Sequence, residues 1–203
     1  MEFKEFKRPR YSVPSFDFPE NKQGFAFHKN QPGYSDISAH LPLLEYLASK
    51  CSHITEFGTR DGFSTCAFMS GLQKTQGTLV SFDINMPSFV DEFKNMEDLP
   101  CSWDFRQRST VDEDLNIEET DLLFVDSLHT YEQVRDELRL HAARVGKFIV
   151  FHDTYSHGEF SRDIKGHEGI LRAINEFVDS SSEWERVYKV NFNHGLVVLE
   201  KTV

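Results

Sequence analysis

The sequence is short of several features that would announce a function class. It has three cysteines, Cys51, Cys66 and Cys101, and no CxxC pair. An odd, scattered set of thiols builds neither a disulfide framework nor a Cys-rich zinc site, and it fits a reducing, cytoplasmic compartment. Nowhere do about 18 apolar residues run together, so no membrane span is expected. The N-terminus is charged and lacks the apolar stretch of a secretory signal. Positive charge is also scarce: 22 Lys and Arg face 33 Asp and Glu, a formal net charge of -11. That field repels polyanions and argues against nucleic-acid partners. The only basic cluster, Lys4, Lys7, Arg8 and Arg10, reads as a solvated tail. No GxGxxG dinucleotide fingerprint occurs, which argues against a nicotinamide-dependent oxidoreductase.

Phenylalanine, by contrast, is plentiful: 19 of the 203 residues. A chain of this length buries roughly 70% of its unfolded surface and needs no covalent staple. Residues 1–34 hold four prolines and two glycines, which break any long helix, yet also seven aromatics from Phe3 to Phe27. Disordered tails seldom carry so many. This segment is expected to be an arm that packs on a single domain of residues 35–203.

Within that domain, strand-like and helix-like patterns alternate. Leu41, Leu44, Leu47 and Ala48 recur at helical spacing, with Pro42 tolerable only in the first turn. Then come HITEF (53–57), a helix from Phe63, TLVSFD (78–83), a helix with Val90, Phe93 and Met96, and CSWDFR (101–106). DLLFVD (121–126) and KFIVFHD (147–153) are apolar runs of the kind buried on both faces of a parallel sheet. Tyr131, Val134, Leu138 and Ala142 make one helical stripe between them. GILRAINEFV is a further helix, and RVYKV and GLVVLEK flank the turn-prone NFNHG as an antiparallel hairpin at the sheet edge. The pattern predicts an α/β fold: a Rossmann-like, doubly wound seven-strand sheet, mostly parallel with the last strand antiparallel.

Ligands of open α/β sheets bind beyond the carboxyl ends of the strands. Those ends fall at Glu56 to Gly62, Asp83, Arg108 and Ser109, Asp126 to His129, and His152 to Thr154, a set rich in Asp and His. In EFGTRDGFST, Gly58 and Gly62 allow a sharp turn and close backbone approach to a ligand. Their GxxxG spacing alone equally fits an ordinary strand–helix turn. Asp83, at the end of the next strand, can accept hydrogen bonds from ribose hydroxyls. The loop after the fifth strand offers Tyr155, His157 and Glu159 for acceptor contact. The remaining histidines, His40 and His194 among them, read as structural or surface groups.

Taken in order, ITEFGTRDGFST, VSFDI, TDLLFVDSLHTYEQV, KFIVFHDT and NHGLVVLE resemble a class I S-adenosylmethionine-dependent methyltransferase. Within that superfamily they resemble the group containing macrocin O-methyltransferases and cephalosporin-hydroxylase-like proteins. The resemblance implies that Glu56, Gly58, Thr59, Gly62 and Ser64 cradle the methionine end of S-adenosylmethionine. It implies that Asp83 holds the ribose, that Ser109 lies beside the adenine, and that Asp126 also borders the cofactor. Asp126, His152 and Asp153 match positions that bind a divalent metal in some relatives, with His152 where an acid is more usual. Imidazole favours Mn²⁺, Fe²⁺ or Zn²⁺ over Mg²⁺. His129, His152 and Asp153 are the implied catalytic groups. The implied reaction is O-methylation of a small molecule, a sugar or glycan-like acceptor; a homo-oligomer is one candidate assembly, which the sequence leaves open. The rival expectation is a non-catalytic cofactor-binding protein on the same fold.

Overall fold

A computed structural model describes residues 35–202 of the chain. The expected aromatic arm of residues 1–34 lies outside the described residues. A 3₁₀ turn, Ser38–His40, leads into α1 (Leu41–Ala48), with Pro42 in its first turn where no intrahelical N–H is lost. The order continues β1 (His53–Phe57), α2 (Phe63–Leu72), β2 (Thr78–Asp83), α3 (Ser88–Lys94), β3 (Ser102–Gln107) and β4 (Thr120–Val125). It closes with α4 (Tyr131–His141), β5 (Val145–His152), α5 (Ile170–Ser180), β6 (Trp184–Val190) and β7 (Leu196–Lys201).

The seven strands form one sheet in the order β3-β2-β1-β4-β5-β7-β6. Strands β1 to β5 pair in parallel, and β7 runs antiparallel to both β5 and β6. The expected sheet is therefore present, with one refinement: the hairpin's second strand is interior and β6 forms the edge. Alternation along the strands supplies two cores. Leu122 and Phe124 face α1, α2 and α3, packing with Leu44, Phe68 and Phe93. Leu123 and Val125 face α4 and α5, packing with Val134, Leu138 and Ile174. Covering both faces explains why β4 and β5 read as continuous apolar runs. Met96 falls outside α3, which stops at Lys94, but still packs on the first core. Among the described residues, no helix is long and apolar enough to cross a membrane.

Register places the site. In the β4–β5 pair Val125 lies beside Phe151, so the next residues, Asp126 and His152, emerge side by side. On the other flank Phe57 pairs with Val125, which brings the β1 turn against the Asp126 backbone.

Candidate active site

The β1–α2 turn is built largely to hold itself. Gly58 has φ +84°, and a Cβ there would lie 2.1 Å from the Asp126 carbonyl oxygen. Glycine is thus required by the neighbouring strand as well as by the turn. Gly62, at φ +78°, caps the start of α2, and a Cβ on it would press on the Phe89 ring at 3.0 Å. Arg60 between them also has a positive φ, +40°.

Asp83 fixes this turn. Its Oδ2 accepts from the Thr59 amide at 3.0 Å, the Thr59 hydroxyl at 3.1 Å and the Arg60 amide at 3.3 Å. Its Oδ1 accepts from the Asn85 amide at 2.9 Å. The expected ribose acceptor therefore has one oxygen saturated by the turn and one with a lone pair to spare.

Glu56 departs from expectation. It is fully buried, and its oxygens accept from the hydroxyls of Ser64 (2.6 Å), Thr65 (2.8 Å) and Ser81 (2.6 Å). Trp103 Nε1 extends the chain by donating to the Ser81 hydroxyl at 3.0 Å. The carboxylate thus stands behind Ser64, tying β1, β2 and α2 together. Burial, against the three hydroxyls, pushes its pKa up to about 7.

A shallow cleft of about 210 Å³ lies in front of the turn, lined by Ile37, Thr59, Arg60, Asp61, Phe63, Ser64 and Asp126. Of the expected cofactor residues, Thr59, Ser64 and Asp126 line it directly, and Gly58, Gly62 and Asp83 shape its wall. Ser109 does not line it; its hydroxyl accepts from the Val111 amide in the turn after β3. At its rim is a clasp, in which Arg60 donates to both carboxylate oxygens of Asp36, one contact at 2.7 Å. Sequence reasoning left Arg60 unassigned and did not single out Asp36.

On the other side of Asp126 the structure brings four expected residues into contact. Asp126 Oδ1 lies 3.2 Å from both His129 Nε2 and His152 Nδ1. Asp153 Oδ2 lies 3.3 Å from the same two nitrogens. The four atoms form a closed ring, oxygen alternating with nitrogen. Asp153 joins because its φ is +57°. Consecutive residues of an extended strand point to opposite faces. The left-handed step, which Asp tolerates better than most residues, swings its side chain back beside that of His152.

Supporting groups orient this ring. His129 Nδ1 donates to Asp163 Oδ2 at 2.8 Å. His152 Nε2 donates to the Asn193 carbonyl at 3.3 Å, and His40 Nε2 donates to the same oxygen at 3.0 Å. Ser156 donates its hydroxyl to Asp153 Oδ1. The Asn193 carbonyl turns inward because Asn193, His194 and Gly195 have φ of +46°, +68° and +92°. Burial works to lower the two ring imidazoles, but hydrogen bonds and charge from Asp126 and Asp153 prevail. They raise His129 to about 9 and His152 to about 10. For Asp126 and Asp153 burial works upward, and the imidazoles override it downward. His40, buried at the back, is lowered to about 4 by desolvation and by His152.

His40 and His194 are therefore not incidental; His194 Nδ1 lies 3.4 Å from Asp153 Oδ1. Asp163, Asn193 and Glu137 were missed by sequence reasoning. Glu137 is fully buried and accepts from Thr110, Ser127 and Gln133, fixing the turns after β3 and β4. The pattern RVYKV–NFNHG–GLVVLEK marked the Asn193 turn, but nothing in it showed where the turn would dock.

Residues 55–154 match the profile of a family described as a methyltransferase domain. Over that stretch, about half of its length, the chain resembles a methyltransferase domain. The chain is similar in fold to an O-methyltransferase from Bacillus cereus solved in complex with S-adenosylhomocysteine (SAH). There the TM-score is 0.64 and the identity 16%, over 88% of this chain and 87% of that one. TomG, an O-methyltransferase from Streptomyces achromogenes solved with S-adenosylmethionine, gives a TM-score of 0.56 at 17% identity, covering 90% and 87%. MycE, from the mycinamycin biosynthetic pathway and solved with Mg, SAH and mycinamycin VI, gives 0.57 at 16%. That match covers 81% of this chain and 48% of MycE. No curated protein sequence matches the chain.

Proposed function

We propose that the protein O-methylates a small molecule, with the cofactor on the β1–α2 side of Asp126 and the acceptor on the His129 side. The observation that carries this reading is the position of Asp126, which both lines the cleft and belongs to the Asp–His ring. Bound S-adenosylmethionine supplies an electrophilic methyl group on sulfur. The chain's own task is to hold the cofactor and align a hydroxyl, and positioning of that kind is worth up to about 7–11 kcal/mol.

Thr59, Ser64 and the glycine turn form the cofactor wall. The free lone pair of Asp83 Oδ1 suits a ribose hydroxyl, and Glu56 keeps Ser64 in place from behind. Ser109, off the cleft, has no part in this reading. His129, His152 and Asp153 form the acceptor side with Asp126. The donors Asp126, His152 and Asp153 also fit a divalent metal, since their ligand atoms lie within 4.8 Å of one another. A cation there lowers the pKa of a nearby hydroxyl. The complex of MycE with Mg and mycinamycin VI supports a metal-assisted reading with a small-molecule acceptor.

The test is calorimetry with SAH on the wild type and on Asp83→Ala. Micromolar binding that weakens at least tenfold in the variant is expected. No binding at millimolar SAH, or equal affinity in both, overturns the reading. A screen of sugar-bearing hydroxyl acceptors by SAH release then tests the acceptor class; release only with other acceptor chemistries overturns that part.

A further inference from the structure

Resting on the metal-assisted reading above, we infer that His129 is a fourth ligand and that the ring is a two-histidine, two-carboxylate centre for a divalent transition metal rather than Mg²⁺. Four donors close a ring: Asp126 Oδ1, His129 Nε2, Asp153 Oδ2, His152 Nδ1 and back to Asp126 Oδ1, with successive separations of 3.2, 3.3, 3.3 and 3.2 Å. Ligands about 2.0–2.1 Å from a tetrahedral metal lie about 3.3–3.4 Å apart. The four edges of the ring have that spacing. Two carboxylates balance the charge of a divalent ion.

The imidazoles are set to present the correct nitrogens. A carbonyl oxygen only accepts, so the contact to Asn193 keeps a proton on His152 Nε2, and the proton released when a metal binds is the one on Nδ1, whose lone pair then faces the ring. The Asp163 carboxylate likewise holds the His129 proton on Nδ1 and leaves Nε2 for the ring. Groups behind ligating histidines commonly take this form, and losing them costs about 10–100-fold in metal affinity. His157 is the natural competitor, since His129, Asp153 and His157 also converge. Its Nδ1, however, accepts from the Arg162 amide at 3.2 Å, so the neutral ring carries its proton on Nε2. That tautomer has no lone pair left for a metal. Mg²⁺ demands octahedral oxygen ligands and keeps several waters. A half-nitrogen donor set suits Zn²⁺, Co²⁺ or Mn²⁺ better.

The experiment uses tag-free full chain, stripped with a chelator, and Co²⁺ as the probe. One equivalent is expected to give the intense visible d–d absorption of a four- or five-coordinate, nitrogen-bearing site. His129→Ala and Asp163→Asn are expected to lose at least tenfold in Co²⁺ affinity with an altered spectrum, while His157→Ala stays within about threefold. Thermal unfolding establishes that each variant is folded, and the wild-type spectrum stands without any variant. A faint six-oxygen spectrum overturns the inference and leaves an oxygen-ligated metal. So do His129→Ala affinities equal to wild type, or loss in His157→Ala instead. Absence of metal binding in a protein that binds SAH overturns both the inference and the metal-assisted reading, but not methyl transfer. Failure to bind SAH, with Co²⁺ bound as expected, counts against the methyltransferase reading alone.

Discussion

The two sides of Asp126 are made differently. On the β1–α2 side the contacts are local and self-satisfying: glycine backbone, hydroxyls on Glu56, turn amides on Asp83. On the β4–β5 side the side chains come from Asp126, His129, His152 and Asp153 and are held from behind by Asp163 and Asn193. The first side is a shaped wall that presents backbone and small polar groups. The second concentrates charge. The contrast shows how one strand end serves two chemistries, since Asp126 gives its backbone to the wall and its carboxylate to the ring.

The sharpest way to break that division is to alter the shared residue. With any acceptor that supports turnover, Asp126→Ala is expected to lower kcat/KM by roughly 10²–10⁴-fold. A loss under tenfold would show that the two sides do not depend on it. Next comes the close approach itself. Gly58→Ala combines a positive φ with a carbonyl 2.1 Å from the new methyl, so a loss of about 3–5 kcal/mol, or failure to fold, is expected in urea denaturation. A loss below 1 kcal/mol would mean that β1 and β4 can separate freely there.

Glu56 tests whether the wall is self-satisfied. Its pKa is raised from the unfolded value near 4.5 to about 7 in the fold. The folded state therefore prefers the protonated acid. Its stabilising contribution is complete below pH 4.5 and is lost as pH rises through 7. The difference between wild type and Glu56→Gln should shift by about 3 kcal/mol across that window, and a flat difference in denaturation midpoints would refute it. The smallest effect belongs to the clasp. The Arg60 side chain is 60% exposed, so Asp36→Asn should cost no more than about 1 kcal/mol of stability. A larger loss would make the clasp part of the wall.

Much of this was legible in the sequence, for physical reasons. Strands β4 and β5 announced themselves because burial on both faces demands continuous apolar runs. Asp126 and His152 could be placed because strands end where polar residues begin, and parallel register aligns their ends. Asp163 and Asn193 could not, because their roles arise from loops docking 34 and 41 residues away from their partners. Ser109 was expected beside the adenine, and its hydroxyl accepts from the Val111 amide in the turn after β3, a contact that residue spacing does not reveal. Glu56 matched a motif acid, but only the fold reveals three hydroxyls closing around it.

The interior place of β7 also sets an order of events. Strand β6 has no pairing partner until β7 has formed, because β7 separates it from β5. A nascent chain that has produced β5 and β6 alone exposes an open strand edge, the kind of surface that invites aggregation. The turn carrying Asn193 lies directly before β7, so its carbonyl reaches His152 as that edge is sealed. Sheet completion and the orientation of His152 are in this sense a single assembly step.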